Sequence, residues 1–244
     1  MDLRDRSVLV TGGGRGLGAA LGRAAARTGA RVVLVARTAA EVEAVAADIR
    51  SSGRQAHALV ADVGEEGAAT TIAAAAAALA GPVDVLVHNA SVLGPVPLRP
   101  LLDTPPADFT RALEVNLLGP LRLSQAVVGS MVLRGQGLVL HVTSDAGLEA
   151  YPAWGAYGVS KAALDHLARI WAAELADTGV RFLSVDPGEM RTRMHADAMP
   201  EADPSALADP ALVAESLLEL IRDAESLRSG SRVEAARFAP AASR

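Results

Sequence analysis

Short runs of β-branched and aliphatic residues recur along the chain, each bounded by Gly, Pro, Asp or Asn, and longer Ala-rich stretches fill the intervals. Residues 7–11, 31–36, 56–60, 83–88, 138–143 and 181–186 are too short for helices and read as buried strands. A seventh strand is expected at 232–236. Between the strands the pattern predicts helices over about 16–28, 38–51, 65–79, 106–133, 155–177 and 210–222. Strict alternation of strand and helix implies a parallel sheet with helices on both faces. Right-handed crossovers then favour a doubly wound order, with the ligand crevice at the carboxyl ends of the strands.

The run 68–80 looks like low complexity but reads better as a small-residue helix near the sheet, because Ala is the best helix former. Pro95, Pro97, Pro100, Pro105 and Pro106 mark a loop rather than a domain boundary. Residues 189–209 and the tail from Ala239 are the two segments expected to move, the first of them as a cover over the substrate. The length of 244 residues suits one domain spanning 1–244.

Composition narrows the chemistry. Half of the residues are hydrophobic but only 3% are aromatic, so Ala, Val and Leu must fill the core. A net charge of -5 and a pI near 5.6 count against a nucleic-acid binder, which carries a basic face. No stretch reaches the length of a membrane span and no secretory pattern opens the chain, so a cytoplasmic protein without membrane attachment is expected. Cysteine is absent, which removes disulfides and thiolate sites, and the five histidines show no metal-ligand spacing. Of 23 basic residues, Lys161 is the only lysine.

The first strand runs into Thr11-Gly12-Gly13-Gly14-Arg15-Gly16-Leu17-Gly18, and a helix follows. Glycines let the backbone turn sharply and approach a pyrophosphate, while the helix start aims free N–H groups at the anion. This is a Rossmann-type arrangement, although Gly-rich turns alone are common. Tyr157 and Lys161 lie a helical turn apart on one face of the helix at 155–177. A phenol near pKa ~10 works as an acid/base at neutral pH only when its anion is stabilised, as a neighbouring ammonium would do. One of two tyrosines is thus matched with the only lysine.

With its Gly-x-x-x-Gly-x-Gly turn and its Tyr-x-x-x-Lys pair, the sequence resembles the short-chain dehydrogenase/reductase family, in the subfamily of about 250 residues. The resemblance covers nearly the whole chain to about Gly188 and thins beyond it. It implies an oxidoreductase that interconverts a carbonyl and an alcohol with a nicotinamide cofactor. Ser144 matches the family's serine and would hold the substrate oxygen beside Tyr157, with Thr143 as the rival. Asn116 matches the family's active-site asparagine. Pro120, which has no N–H, cannot bond the Asn116 carbonyl, so a distorted helix and a carbonyl facing Lys161, directly or through water, are expected. Lys161 would lower the Tyr157 pKa and hold the nicotinamide ribose.

For the cofactor, the resemblance assigns Gly12, Gly16, Leu17 and Gly18 to the pyrophosphate turn and Asp62-Val63, closing the third strand, to the adenine. Asn89 and Ala90 follow the fourth strand; His88 and Ser91 depart from the family's usual Asn-Asn-Ala-Gly, and a structural role is the simpler reading of His88. Pro187, Gly188 and Thr192 resemble the segment that holds the nicotinamide carboxamide. The second strand ends at Ala36 rather than at a ribose-binding carboxylate, followed by Arg37 and Thr38, and Arg15 lies inside the turn. Two guanidiniums there suit a 2′-phosphate and hence NADP(H) over NAD(H), though in an Arg-rich chain either could be an ordinary surface residue.

The substrate would be a small carbonyl or alcohol, walled by Tyr151, Trp154 and Met190 with Glu189 at the edge, beside Ser144 and Tyr157. Related enzymes pair helices like those at 108–131 and 156–176, which implies a homodimer or homotetramer. Two alternatives stand beside this reading. A non-catalytic NADP(H)-binding regulator or sensor would lack pressure to keep Tyr157 and Lys161, and a nucleotide-sugar epimerase usually has a longer chain and a different glycine spacing.

Overall fold

Seven parallel strands form one sheet in the order β3-β2-β1-β4-β5-β6-β7 in the computed structural model, which describes residues 1–239. The strands are β1 (Ser7–Thr11), β2 (Arg31–Ala36), β3 (Ala56–Val60), β4 (Val85–His88), β5 (Gly137–Val142), β6 (Val180–Asp186) and β7 (Arg232–Glu234). The helices are α1 (Gly16–Arg27), α2 (Ala39–Ser51), α3 (Ala68–Ala80), α4 (Pro106–Leu113), α5 (Gly119–Arg134), α6 (Gly155–Glu174), α7 (Arg193–Ala198) and α8 (Pro210–Asp223). The chain steps outward from β1 to β3, then returns to lay β4 on the other side of β1. A crevice opens where the order reverses.

Strand side chains alternate between two cores. Val8, Val10, Val32, Leu34, Val85 and Val87 pack under α1, α2 and α8. Leu9, Val33, Leu86, Val139 and Phe182 pack under α3, α5 and α6. Each such side chain, fully buried, contributes about 1.5–3 kcal/mol. Aromatics are few, and Trp171 of α6 stacks on Phe182 of β6 at 5.7 Å and 6°.

The single helix expected over 106–133 is broken. Between α4 and α5 the backbone makes a π-helical turn, Glu114–Leu118, closed by Gly119 N–H donating to Glu114 O. Pro120 directly follows and brings no N–H of its own, so the regular ladder cannot run through, and the expected distortion is present. Smaller shifts have local causes. α3 starts at Ala68 because tight turns occupy the preceding residues, with Glu65 N–H on Asp62 O and Ala68 N–H on Glu65 O. β3 ends at Val60, short of Asp62, whose carboxylate instead caps a turn by accepting from Gly64 N–H at 2.9 Å. β7 stops at Glu234 and tightens into a 3-10 turn, Ala235–Phe238.

Residues 189–209 contain α7 and a 3-10 turn, and the ends of the segment are tied by a bridge between Met190 and Ala208. Of the tail expected to move from Ala239, residues 240–244 lie outside the described residues. No helix among the described residues is long and apolar enough to cross a membrane.

Candidate active site

The glycine turn is built as the sequence requires. Gly12 and Gly16 have φ of +69° and +53°, in the left-handed region that favours glycine. A Cβ on Gly18 would run into Gly12 O and lie 2.5 Å from Asn89 Nδ2, so only glycine lets α1 start this close to the turn. Asn89 fixes the turn from β4's end, with Nδ2 donating to Thr11 O at 2.9 Å and to Gly12 O at 3.2 Å. Thr11 Oγ1 accepts from the amides of Asn89 and Ala90, both at 3.1 Å.

A cleft of about 360 Å³ opens in front of this turn. Gly12, Arg15, Gly16, Leu17, Arg37, Thr38, Asp62, Val63, Asn89, Ala90, Pro187 and Thr192 line it, together with Tyr157 and Lys161. Gly18 does not line it, being packed against the turn itself, and Gly188 faces the neighbouring cavity instead. Arg15 and Arg37 both line it, each half-exposed and near an acid: Arg15 is 3.7 Å from Glu41 and Arg37 3.7 Å from Asp62. Arg111 also pairs with Asp62, a partner that the sequence did not reveal.

Tyr157 and Lys161 share the inner face of α6, with Lys161 Nζ 5.4 Å from the Tyr157 ring centroid. Both are buried, Lys161 almost entirely at 2% exposure. Burial dominates both titrations. It pushes the Tyr157 phenol up to about 12, with Asp186 and Asp145 adding to the rise and hydrogen bonding by the Ser144 and Ser91 hydroxyls opposing it. It lowers Lys161 from 10.5 to about 8, against the pull of Asp165 and Asp186. In the protein by itself the phenol thus stands above its usual value, whatever the ammonium beside it contributes. Desolvation of the phenolate outweighs every attraction that the side chains supply.

Asn116 sits in the middle of the π turn, fully buried, and its side-chain amide is satisfied on all sides. Oδ1 accepts from Val92 N–H at 2.9 Å and from Ser91 Oγ at 3.1 Å, while Nδ2 donates to Val92 O and to Ser160 Oγ, both at 2.8 Å. Ser160 Oγ in turn donates to Tyr157 O at 2.6 Å, so Asn116 ties the loop after β4 to the helix that carries Tyr157. The direct Lys161 contact expected of the Asn116 carbonyl is not made. Lys161 Nζ donates instead to Val142 O at 2.7 Å. β4 stops at His88, opposite His141, so on that side of β5 Val142 has no strand partner and its carbonyl is free to accept.

Thr143 and Ser144 both line a second cavity, of about 280 Å³ beside Tyr157, but differ in what their hydroxyls do. Thr143 is buried and donates to Asp165 Oδ2 at 3.0 Å, whereas the Ser144 hydroxyl donates to Asp145 Oδ1 at 2.9 Å. Tyr151, Trp154, Glu189 and Met190 line the same cavity, so all six residues expected around the substrate meet there. Trp154 stands edge-on to Tyr157 at 5.7 Å and to Tyr151 at 6.5 Å.

Two features escaped sequence reasoning. Asp165 Oδ2 lies 3.3 Å from Arg232 Nε, and Arg232 Nη2 lies 2.9 Å from Asp186, so β7 braces α6 and β6 together. His88 and His141 stack at 5.0 Å beneath the site, His88 Nε2 lying 2.9 Å from Ser124 Oγ. Burial lowers both, His141 to about 4, which keeps the pair neutral. His88 is thus structural, as its simpler reading held. Among the described residues no cluster could hold a metal ion.

The chain is similar to known proteins along almost all of its length. The family model described as short chain dehydrogenase matches residues 6–203. An uncharacterized oxidoreductase of Mycobacterium tuberculosis is 35% identical over 95% of this chain and 91% of its own. The 7alpha-hydroxysteroid dehydrogenase of Escherichia coli K12 is 35% identical over 78% of this chain and 73% of its own. Among solved structures, a short chain dehydrogenase from Shigella flexneri complexed with NADP superposes with a TM-score of 0.89 at 28% identity, covering 96% of this chain and 99% of that one. Another, from Escherichia coli CFT073 complexed with NADPH, gives 0.87 at 30% identity, with 96% and 98% covered.

Proposed function

The chain belongs to the short-chain dehydrogenase/reductase family, oxidoreductases of CH–OH and C=O groups, and from that premise we propose that it interconverts a carbonyl and an alcohol with NADP(H), using Tyr157 as general acid and base. One observation carries the reading: Tyr157 is among the residues that line both the cleft at the glycine turn and the cavity beside it, with the buried ammonium of Lys161 5.4 Å from its ring centroid. A dinucleotide fits the residues present, since Gly12, Gly14 and Gly16 line the cleft without side chains where the backbone would approach a pyrophosphate, and Gly18 lets α1 begin against the turn. Bound there, a nicotinamide supplies hydride to a carbonyl carbon or takes it from an alcohol.

The remaining work falls to the chain's own groups. Tyr157 Oη gives its proton to the substrate oxygen in reduction and takes it back in oxidation. Ser144 Oγ holds that oxygen, and Lys161, anchored on Val142 O, places a positive charge behind the phenol. Asn116 positions rather than reacts, through Ser160. Gly12, Gly16 and Leu17 hold the pyrophosphate, Asp62 and Val63 the adenine end, Asn89 and Ala90 the middle, and Pro187, Gly188 and Thr192 the carboxamide. Arg15, Arg37 and Thr38, with Ala36 where an acid would select NAD, favour NADP(H), and the NADP and NADPH complexes of related structures support this choice. Residues 189–209 form the cover of the cavity. Leu102, Val159 and Ile170 are exposed on the loop before α4 and on α6, which supports a homo-oligomer formed there, in a cytoplasmic setting.

Steady-state reduction of a ketone and aldehyde panel tests the proposal. NADPH is expected to give the higher kcat/KM, and Tyr157→Phe to lower kcat by about 10²–10⁴-fold while NADPH titration changes little. Retained turnover in Tyr157→Phe, or preference for NADH, overturns the corresponding part.

A further inference from the structure

The cavity beside Tyr157 is apolar along most of its wall, through Leu93, Trp154, Met190, Met194 and Met199. Its charge is all of one sign: Asp145, Asp186 and Glu189 line it, and neither lysine nor arginine does among the described residues. A carboxylate shapes recognition only where no cation already answers it. Asp186 is answered, by Arg232 at 2.9 Å. Asp145 is not. Its Oδ1 accepts from Ser144 Oγ at 2.9 Å and from Ala146 N–H at 2.8 Å, and its Oδ2 accepts from Tyr151 Oη at 2.9 Å. These donors are neutral and leave the charge in place. Partial burial pushes the Asp145 carboxyl up, but the bonds from Tyr151, Ser144 and Ala146, with a smaller pull from the more distant Arg232, outweigh it and hold the group ionised without an ion pair. Glu189 stands largely exposed at the rim, with His195 Nε2 at 3.6 Å and no lysine or arginine within salt-bridge distance among the described residues.

Two further observations point the same way. Trp154 and Tyr151 form an aromatic corner against Tyr157, and aromatic faces attract cations by about 0.5–2 kcal/mol. His195 also lines the cavity, and both of its ring nitrogens are buried without a hydrogen-bond partner, which leaves polar atoms of this wall for a ligand to meet. An anionic substrate would meet two carboxylates that no lysine or arginine pairs, in a wall that holds neither residue among the described residues. A neutral one would leave both unanswered. An ammonium would answer both, and it would find aromatic faces beside them.

We propose that this cavity selects carbonyl or alcohol substrates that carry an ammonium group on an apolar body, with Asp145 and Glu189 setting the preference. The inference rests on the oxidoreductase reading and names the substrate class of the same site. Asp145, next to Ser144 in the chain, acts near the reacting oxygen, and Glu189 acts at the mouth.

The test uses para-substituted acetophenones of matched shape, carrying aminomethyl, ethyl or carboxymethyl groups, reduced with NADPH. The aminomethyl ketone is expected to have a kcat/KM about tenfold above the ethyl ketone, equivalent to ~1.4 kcal/mol, with the carboxymethyl ketone lowest. The ratio of cationic to neutral substrate should fall toward one in Glu189→Gln and in Asp145→Asn, and should shrink with added salt. Glu189→Gln carries the test by itself if Asp145→Asn does not fold. Binding of benzylammonium against phenylacetate, followed by tryptophan fluorescence, gives a readout that needs no turnover. Equal kcat/KM across the series, or phenylacetate binding as tightly as benzylammonium, overturns the inference and leaves the oxidoreductase reading in place. Selective benzylammonium binding with no turnover of any ketone instead removes the oxidoreductase reading and keeps the cation preference.

Discussion

Replacing Lys161 by Met separates the stability of the fold from the chemistry of the site. The ammonium is 2% exposed, and its pKa of about 8 in place of 10.5 measures what its burial costs. At ~1.4 kcal/mol per pH unit that cost is about 3 kcal/mol while the group stays protonated in both states. Met has a similar length and no charge, so the variant is relieved of it. Against this stands the lost bond to Val142 O at 2.7 Å, whose carbonyl then lies buried without its donor, a penalty of about 1–2 kcal/mol. Asp165 keeps Thr143 and Arg232 as partners, so its loss is small. Lys161→Met is therefore expected to be more stable than the natural protein by about 1–2 kcal/mol at pH 7, and inactive.

The pH dependence makes the argument sharper. Below about 8 both the folded and the unfolded lysine hold the proton, and the penalty is fully present. Between about 8 and 10.5 the folded state gives up its proton while the unfolded chain keeps it, so the natural protein gains stability as pH rises. The variant's advantage should shrink by ~1.4 kcal/mol per pH unit and vanish roughly one unit above the start of that window. Tyr157, whose folded pKa is raised, acts in the opposite sense above pH 10, but it is common to both proteins and drops out of the difference. Urea unfolding of the two proteins from pH 6 to 10, read by fluorescence and circular dichroism, measures this difference directly. A difference that stays flat across pH 8 to 10, or a variant less stable at pH 7, refutes the reasoning.

Two other perturbations follow from the same geometry. Gly18→Ala puts a methyl group into Gly12 O and 2.5 Å from Asn89 Nδ2, so the turn must shift. NADPH affinity is expected to fall at least about tenfold, with Tm lower by roughly 3–8 °C, in a titration and a thermal melt. His141→Leu addresses the acid limb. The folded His141 pKa of about 4 lies below its usual 6.5, so its stability contribution is intact above 6.5 and lost as pH falls through the window between them. That amounts to about 3 kcal/mol. The leucine variant should unfold at a lower pH, and unchanged acid midpoints would show that the buried pair does not limit acid stability.

The parts of this molecule written locally in the sequence were legible. Strands β1, β2 and β3 have the bounds that their apolar runs imply, and the glycine turn sits where β1 meets α1. Tyr157 and Lys161 could be paired because a helix converts a spacing of four into one face. Pro120 announced a distortion but not its form, since a missing donor leaves the chain to choose between a bend and a widened turn. What stayed hidden depends on strand register. His88 meets His141 only because β4 and β5 pair in that register, and Arg232 reaches Asp165 and Asp186 only because β7 lies beside β6. The Tyr157 titration was hidden for a different reason: a lysine's charge can be read from the chain, but the depth at which both groups are buried cannot.

That depth is also what makes the site responsive. The strands end at unequal heights, β4 at His88 and β5 at Val142, which frees the backbone groups that hold Lys161 and Asn116 in place of water. Water-poor surroundings push both the phenol and the ammonium toward their neutral forms, and they also magnify any charge brought near. Asp145 and Asp186 raise the phenol further, which favours its protonated form. A positive charge arriving in either adjoining cavity acts against those carboxylates and makes the proton easier to release. On the proposed mechanism, the charge that the two cavities admit would then set how readily Tyr157 gives up its proton. Removing Asp145's negative charge should ease ionisation of the phenol even where it spoils the choice of substrate.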